Sequence, residues 1–287
     1  MDIAIETCGA PHNGSVLAVV TPHLDDGLFF AGGTIAKLLA EGYEGYLIRV
    51  SNDEMCSLDL TPGETVAAAE RDAARVCAEF GLHPPIELGY RNHEVDGVGG
   101  LILRARLIYL FRVLRVDTVL TYDPSGHYEA NPDHRVVAQA VEAACWMAGY
   151  PKEYPEHALV GILPHAVSDR YYFARGPQLS NLVVDTTDFV DKKLSAICAA
   201  ETAMRQLVQE MRAYLDRRGL ELPWIAAEDK QAVREYAERQ TLSHDRRVGA
   251  RFGLGAAELF HYLVKDDAFT LMADNDLSDE IRSLETT

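Results

Sequence analysis

Short, unbroken apolar runs alternate with longer stretches of helical spacing along the first half of the chain. The short runs lie at 16–21, 46–50, 86–88 and 118–122, and each stops at a polar or proline-bearing stretch. Continuous apolar runs of that length mark strands buried on both faces. Between them a helix is predicted over 30–41, where apolar residues run Phe30, Ile35, Leu38 and Leu39 before Gly42, and others over 62–80, 101–114 and 132–147. The helix at 62–80 signals both ends: Thr61 at the N-cap, Pro62 at the first helical position, Glu64 completing a capping box, and Gly81 as the stop. Strand–helix alternation of this kind predicts right-handed βαβ units and a mainly parallel sheet. After Gly149 the pattern changes. Residues 171–173 and 182–185 read as further strands, and 189–215, 228–247 and 256–264 as helices. Residues 1–14 read as a loop-like lead-in without an assigned role, and the acidic tail from Asp266 to Thr287 is expected to fray. No linker, repeat or low-complexity tract divides the chain. The expectation is a single α/β domain over 1–287, with its core at about 15–200 and a helical C-terminal part from about 201.

Composition narrows the function classes. With 48% hydrophobic and 25% charged residues, the chain fits an ordinary water-soluble domain, and no apolar run approaches a membrane span. The start, Met1-Asp2-Ile3-Ala4-Ile5-Glu6, has neither the basic nor the long apolar region of a signal peptide, which places the protein in the cytoplasm as an expectation. A formal charge of -17 argues against a nucleic-acid surface and against anionic lipid. Cysteines 8, 56, 77, 145 and 198 are scattered and form no C-x-x-C pair, so they read as reduced thiols. No Gly-x-Gly-x-x-Gly follows the first strand, which weakens a dinucleotide-binding reading.

In an open α/β sheet the ligand crevice lies just beyond the carboxyl ends of the strands. There the sequence delivers Pro22-His23-Leu24-Asp25-Asp26 after the first strand and Asn131-Pro132-Asp133-His134-Arg135 at the start of a later helix. His23 and Asp26 stand three apart in a turn, and His134, in a first helical turn, is placed to face them. Two imidazoles and one carboxylate leave a fourth position for water, the pattern of a catalytic zinc site. The ion would acidify that water, and Asp25, beside the ligand Asp26, would be free to take its proton as general base. Each motif alone has a plain structural explanation, an Asx turn for the first and acidic charge at a helix N-terminus for the second. Their joint occurrence at strand ends favours the metal. His12, His83, His157, His165, His244 and His261 show no partner pattern and read as core or surface histidines.

These two motifs resemble those of the LmbE/PIG-L family of metal-dependent N-deacetylases, which has a Rossmann-like fold and carries Pro-His-Pro-Asp-Asp and, later, His-Pro-Asp-His. Gly32-Gly33-Thr34-Ile35-Ala36 resembles that family's first helix, 71–81 its arginine-bearing second helix, and Val184-Asp185-Thr186-Thr187 with Lys192-Lys193 its late strand–helix unit; Glu258-Leu259-Phe260 also fits. The likeness covers about residues 15–265. It implies that His23, Asp26 and His134 are metal ligands and Asp25 the general base of a zinc-dependent hydrolase that removes acetyl from an N-acetylglucosamine-type glycoside or conjugate. Such a donor set also accepts iron, nickel or cobalt. The partner implied is a small amino sugar, with no nucleic acid and no membrane insertion; a homo-oligomer is left open. Two positions depart from the pattern. Leu24 replaces a proline, which changes turn stiffness and not ligation. Asn131 replaces the first histidine of His-Pro-Asp-His, which in the family stabilises the oxyanion and protonates the leaving amine. Asn131 can donate a hydrogen bond but no proton, and His127, four residues upstream, is the alternative acid. By the same resemblance Arg71 and Asn92 would contact sugar hydroxyls, Asn92 standing where an aspartate is common. Tyr128 and Trp224 read as packing residues or as an apolar wall for a sugar face. A hydrolase of another amide, such as a thiol conjugate, and a binding protein that holds a cation without turnover are the competing readings.

Overall fold

The computed structural model describes residues 3–6, 14–227 and 229–264. In chain order they form β1 (Ala4–Glu6), β2 (Val16–Thr21), α1 (Leu24–Ala40), β3 (Glu44–Ser51), α2 (Pro62–Phe80), β4 (Ile86–Tyr90), α3 (Gly100–Leu114), β5 (Thr118–Tyr122), α4 (Pro132–Met147), the single turn α5 (Glu156–Leu159), β6 (Asp169–Phe173), β7 (Leu182–Asp185), α6 (Val190–Ala199), α7 (Glu201–Asp216), α8 (Asp229–Tyr236), α9 (Ser243–Ala250) and β8 (Ala257–Val264). The strands make one sheet in the order β1-β7-β8-β6-β5-β2-β3-β4. Every neighbouring pair is parallel except the two that involve β8. The mainly parallel sheet flanked by helices is the expected fold class. Among the described residues no helix is long and apolar enough to cross a membrane.

β2 shows why a continuous apolar run is needed. It sends Leu17 and Val19 into a core shared with α1, α2, α6 and α7, and Val16, Ala18 and Val20 into a second core against α3 and α4. α2 falls where its cap signals placed it, with Thr61 as N-cap, and α4 runs over the expected 132–147, with Asn131 as its N-cap. Four expectations need correction. The stretch 256–264, read as a helix from its Ala-Ala-Glu-Leu-Phe composition, is β8, which pairs with β6 on one side and β7 on the other. Two ladders of backbone hydrogen bonds override helix propensity there. Residues 4–6 are a strand and not part of a loop, since β7 offers them a parallel edge. The first helix starts at Leu24, six residues before the expected start, and its buried stripe of Leu24, Leu28, Ala31, Ile35 and Leu38 begins there. The long helix over 189–215 is two helices, broken at Ala200 where ψ is 55°. Cys8, His12 and the tail from Asp266 lie outside the described residues; Cys56, Cys77, Cys145 and Cys198 are free thiols.

A buried ionic cluster fastens β8 to the helical layer. Lys193 Nζ lies 2.6 Å from Asp245 Oδ2 and 2.7 Å from Glu258 Oε1, with all three side chains buried. Glu258 also accepts from the backbone N–H groups of Gly33 and Thr34 on α1, at 2.9 and 2.8 Å. This approach requires glycine: a Cβ on Gly32 would come within 2.8 Å of Lys193, and one on Gly33 within 2.7 Å of Thr186. Burial opposes the Lys193 charge, but Glu258 and Asp245 more than restore it, and burial pushes the Asp245 carboxyl up to about 6 against the pull of Lys193. Removing the cation leaves two uncompensated buried carboxylates. Lys193→Met is expected to cost about 3–5 kcal/mol in urea unfolding, and adding Asp245→Asn and Glu258→Gln should recover most of it. A single variant as stable as the parent would show that the cluster contributes nothing.

Candidate metal centre

The order of strands decides where the motifs meet. β2 pairs with β3 on one side and with β5 on the other, so the chain reverses its direction of travel across the sheet between β2 and β5. Their parallel register, Leu17 with Thr118 and Val19 with Leu120, brings their carboxyl ends level. The motif after β2 and the motif opening α4 after β5 therefore face each other across a switch point.

His23 sits at the N-cap of α1 in extended conformation, φ -122° and ψ 160°. Asp26 in the first turn reaches back, and its Oδ2 accepts from the His23 backbone N–H at 3.1 Å. His134 occupies the first turn of α4, whose N-cap Asn131 accepts from the Asp133 N–H at 3.0 Å. His23 Nδ1 lies 3.1 Å from His134 Nε2 and 3.3 Å from Asp26 Oδ2, and His134 Nε2 lies 3.5 Å from Asp26 Oδ2. A tetrahedral ion with bonds of roughly 2.0–2.1 Å holds its ligand atoms about 3.4 Å apart. The three buried atoms thus form one face of such a shell, and the group fits a divalent ion.

Two of the three remaining polar atoms of these side chains are hydrogen-bonded and orient them, and His134 Nδ1 is not. His23 Nε2 lies 3.2 Å from Asp133 Oδ2, and Asp133 is held in turn by the backbone N–H groups of His93 at 2.7 Å and Val95 at 3.1 Å. A carboxylate on Nε2 would keep the proton there and leave the Nδ1 lone pair available to an ion. Tyr122 donates to Asp26 Oδ1 at 2.8 Å, and its ring stacks on His134 with centroids 4.3 Å apart. His134 Nδ1 is 3.2 Å from Glu129 Oε1. Asp53, at the end of β3, accepts from the Leu24 N–H at 3.1 Å, from Arg49 at 2.9 Å and from Ser51 at 2.9 Å, and so pins the first turn of α1.

The two adjacent carboxyls are driven apart. Burial would raise Asp26, yet the charges of His134 and His23, with the hydrogen bonds from His23 and Tyr122, hold it down to about 2. Burial, followed by repulsion from Asp26 and Asp53, pushes Asp25 up to about 7. One carboxylate is held ionised, and its neighbour is driven toward the neutral form. A dication beside Asp25 would favour its ionised, proton-accepting form.

The centre opens into a cavity of about 230 Å³ lined by Asp25, Met55, Cys56, Asn92, His93, Asn131, Arg175 and the α7 residues Ala203, Gln206 and Leu207. His23, Asp25, Asp26, Asn92, Asn131 and His134 thus meet in one place. Asn92 is buried, and its Oδ1 has no hydrogen-bond partner among the described residues. Asn131 uses its side-chain oxygen to cap α4, which leaves its amide N–H groups as donors. The structure does not bring Arg71 and His127 to this cavity. Arg71 lies on the exposed face of α2 in a separate cleft with Asp59, Arg75 and Arg205, and His127 lies in the loop after β5 with its ring beside Tyr128. Tyr128 is exposed and Trp224 packs under Arg239, neither lining the cavity. Sequence reading missed Asp53, His93, Arg175 and the α7 wall. The polar strand end Ser51-Asn52-Asp53 was a signal for the first; residues that arrive from 175–207 carry none. The Cys56 thiol is pushed up by burial and by Asp53, and it stays protonated.

Comparison with known proteins identifies the class. Residues 18–145, which include both motifs, match the family model PIG-L, described as GlcNAc-PI de-N-acetylase. Residues 18–145 therefore carry a PIG-L family domain match. It is 25% identical over 265 residues to a 1D-myo-inositol 2-acetamido-2-deoxy-alpha-D-glucopyranoside deacetylase from Mycolicibacterium smegmatis, covering 76% of this chain and 89% of that one. It spans only 55–57% of the length of three other curated relatives of that name. Among solved structures, N,N'-diacetylchitobiose deacetylase from Pyrococcus horikoshii aligns with a TM-score of 0.71 at 22% identity, over 87% of this chain and 84% of that one. A 4-carboxy-2-hydroxymuconate hydratase from Pseudomonas putida KT2440 aligns with 0.62 at 18% identity, over 87% and 96%. The fold is therefore shared by enzymes whose names describe different reactions.

His134→Ala is expected to abolish a stoichiometry of one divalent ion per chain, measured by plasma mass spectrometry. Asp133→Asn should retain the site but weaken it roughly 10- to 100-fold in a chelator competition. Full metal content in the His134 variant would refute the ligand set.

Proposed function

We propose that the protein is a metal-dependent N-deacetylase that hydrolyses the acetamide of an N-acetylated amino sugar, with zinc as the resident ion. The observation that carries this reading is the triangle of His23, Asp26 and His134 with a second, uncommitted carboxyl, Asp25, at the same cavity. His23, Asp26 and His134 would hold the ion, which supplies Lewis acidity that lowers the pKa of water and polarises the acetyl carbonyl. Asp25 takes a proton from the attacking water as its oxygen bonds to the carbonyl carbon. The Asn131 amide donates to the developing oxyanion. Asp25 then passes the proton to the nitrogen as the C–N bond breaks, and acetate and a free amine leave. Assigning both transfers to Asp25 removes the need for His127, which the cavity does not include. Asn92, with its free buried acceptor, is assigned to a sugar hydroxyl. Arg71 serves, in this reading, a part of the substrate that extends into the neighbouring cleft.

Acetate release from a panel of N-acetylglucosamine glycosides tests the reaction. Asp25→Asn is expected to keep its metal and lose about 10²- to 10⁴-fold in kcat. Asn131→Ala should lower kcat by about 10²- to 10³-fold with a smaller effect on KM. Metal-loaded protein that releases no acetate from any member of the panel would sink the deacetylase reading, and an Asp25 variant that loses its metal would sink the role given to that residue.

A further inference from the structure

A second cavity adjoins the metal centre. It measures about 390 Å³, and Arg175 lines both it and the metal cavity. α1 connects the two as well. Asp25 and Asp26 of its first turn line the metal cavity, and Phe29 and Phe30, one turn on, line the second. Residues i and i+4 of a helix share a face, so one face of α1 runs from the ligand-bearing turn into the second cavity. The rings make the same connection. Phe30 lies 5.8 Å from Tyr122 and 5.6 Å from Phe173 between centroids, and Tyr122 stacks on His134. The cavity lies on the side of β6, β8 and α9, away from the α2 cleft that holds Arg71.

Its walls divide by chemistry. Phe29, Phe30, Phe173 and Leu259 give an aromatic and aliphatic surface, on which Phe29 and Phe30 are half-buried and so meet whatever enters. Asp245 and Glu258 also line the cavity, yet both are buried and contact Lys193 Nζ. Glu258 is further engaged by the N–H groups of Gly33 and Thr34. The cations are in the opposite condition. Arg175 and Arg251 are exposed, and among the described residues neither makes an ion pair. Arg251 lies over the Phe252 ring, with Cζ 5.7 Å from its centroid. Arg175 borders the metal centre, where burial opposes its charge and Tyr122, Glu129 and Asp26 more than restore it. In a chain of formal charge -17, two such guanidinium groups beside a phenylalanine wall set this cavity apart.

Size points the same way. Sites for small ligands run roughly from 300 to 1,000 Å³. The metal cavity, at about 230 Å³, falls below that range, and the second cavity beside it brings the pair well within it. A guanidinium donates in a fixed fork that matches an oxyanion, and half-buried aromatic rings favour a flat apolar body. We infer that the second cavity is a subsite for the group attached to the amino sugar, an apolar group that carries a negative charge, with Arg251 and Arg175 as its anion partners and Phe29 and Phe30 as its wall. The assignment to a substrate rests on the deacetylase reading of the metal centre.

Calorimetry with naphthalene-2-carboxylate, a flat apolar anion without an amide, tests the subsite apart from the reaction. The metal-loaded parent and the His134→Ala variant are expected to bind it with similar affinity, because the subsite does not use the ion. Arg251→Gln and, separately, Phe29→Ala should each weaken binding roughly tenfold. Arg251 is exposed, so its variant should keep the circular dichroism and metal content of the parent. Among glycosides, the parent should show a KM roughly tenfold lower for 4-carboxyphenyl than for methyl N-acetyl-β-glucosaminide, and Arg251→Gln should remove most of that preference through KM. No binding, binding lost together with the ion, or binding that both variants leave intact would overturn the inference. Faster hydrolysis of an N-hexanoyl than of the N-acetyl substrate would overturn it too, by giving the cavity to the acyl chain. Absence of acetate release with binding intact would sink the deacetylase reading and leave the anion-binding cavity standing.

Discussion

Two imidazole nitrogens and a carboxylate oxygen are held within 3.5 Å of one another in a site closed to water on most sides. Lone pairs so crowded repel, and only positive charge among them relieves it, whether a shared proton or a metal ion. Much of the surrounding architecture serves to impose that crowding. Parallel register between β2 and β5 levels the strand ends, two helices begin there at once, and Asp133, Tyr122 and Asp53 fix what the helices deliver. Each of these supports is buried and satisfied by partners on a different element, so the three ligands cannot relax apart without loosening several strand ends together.

The parts of the fold and site legible in the sequence were those specified locally. The cap at Thr61, unbroken apolar runs and the two polar strand ends are properties of neighbouring residues, and the structure repeats them nearly residue for residue. What escaped is specified at long range. Nothing in Ala257–Val264 distinguishes a helix from a strand until β6 and β7 stand on either side of it. Asp53 looks like one more acid in a turn until Leu24 presents an unpaired N–H to it. Arg175 and α7 belong to the cavity only because the whole sheet has formed.

The cavity also divides along the chain. The candidate ligands His23, Asp26 and His134, with Asp25, Asn92 and Asn131, all fall within residues 18–145, the span matched by the family model. Arg175, Ala203, Gln206 and Leu207, which close the opposite wall, fall beyond it. Under the proposed function the bond-making groups would come from the matched span, and the wall that meets the rest of a ligand from outside it. α7 is well suited to that task, since the break at Ala200 separates it from α6 and Asp72 of α2 holds the Thr202 N–H at its start.

β8 carries a consequence for synthesis on the ribosome. As a nascent chain emerges, β2, β3, β5 and β6 can pair as they appear, but β7 has no place beside β6 until β8 exists to lie between them. Until then two strand edges stand open, and Lys193 is buried against nothing that neutralises it. β1 waits as well, because its partner Leu182–Asp185 arrives some 180 residues later. The sheet therefore closes last at its most non-local seam, and the growing polypeptide spends most of its translation as an unfinished surface that must be shielded from its neighbours.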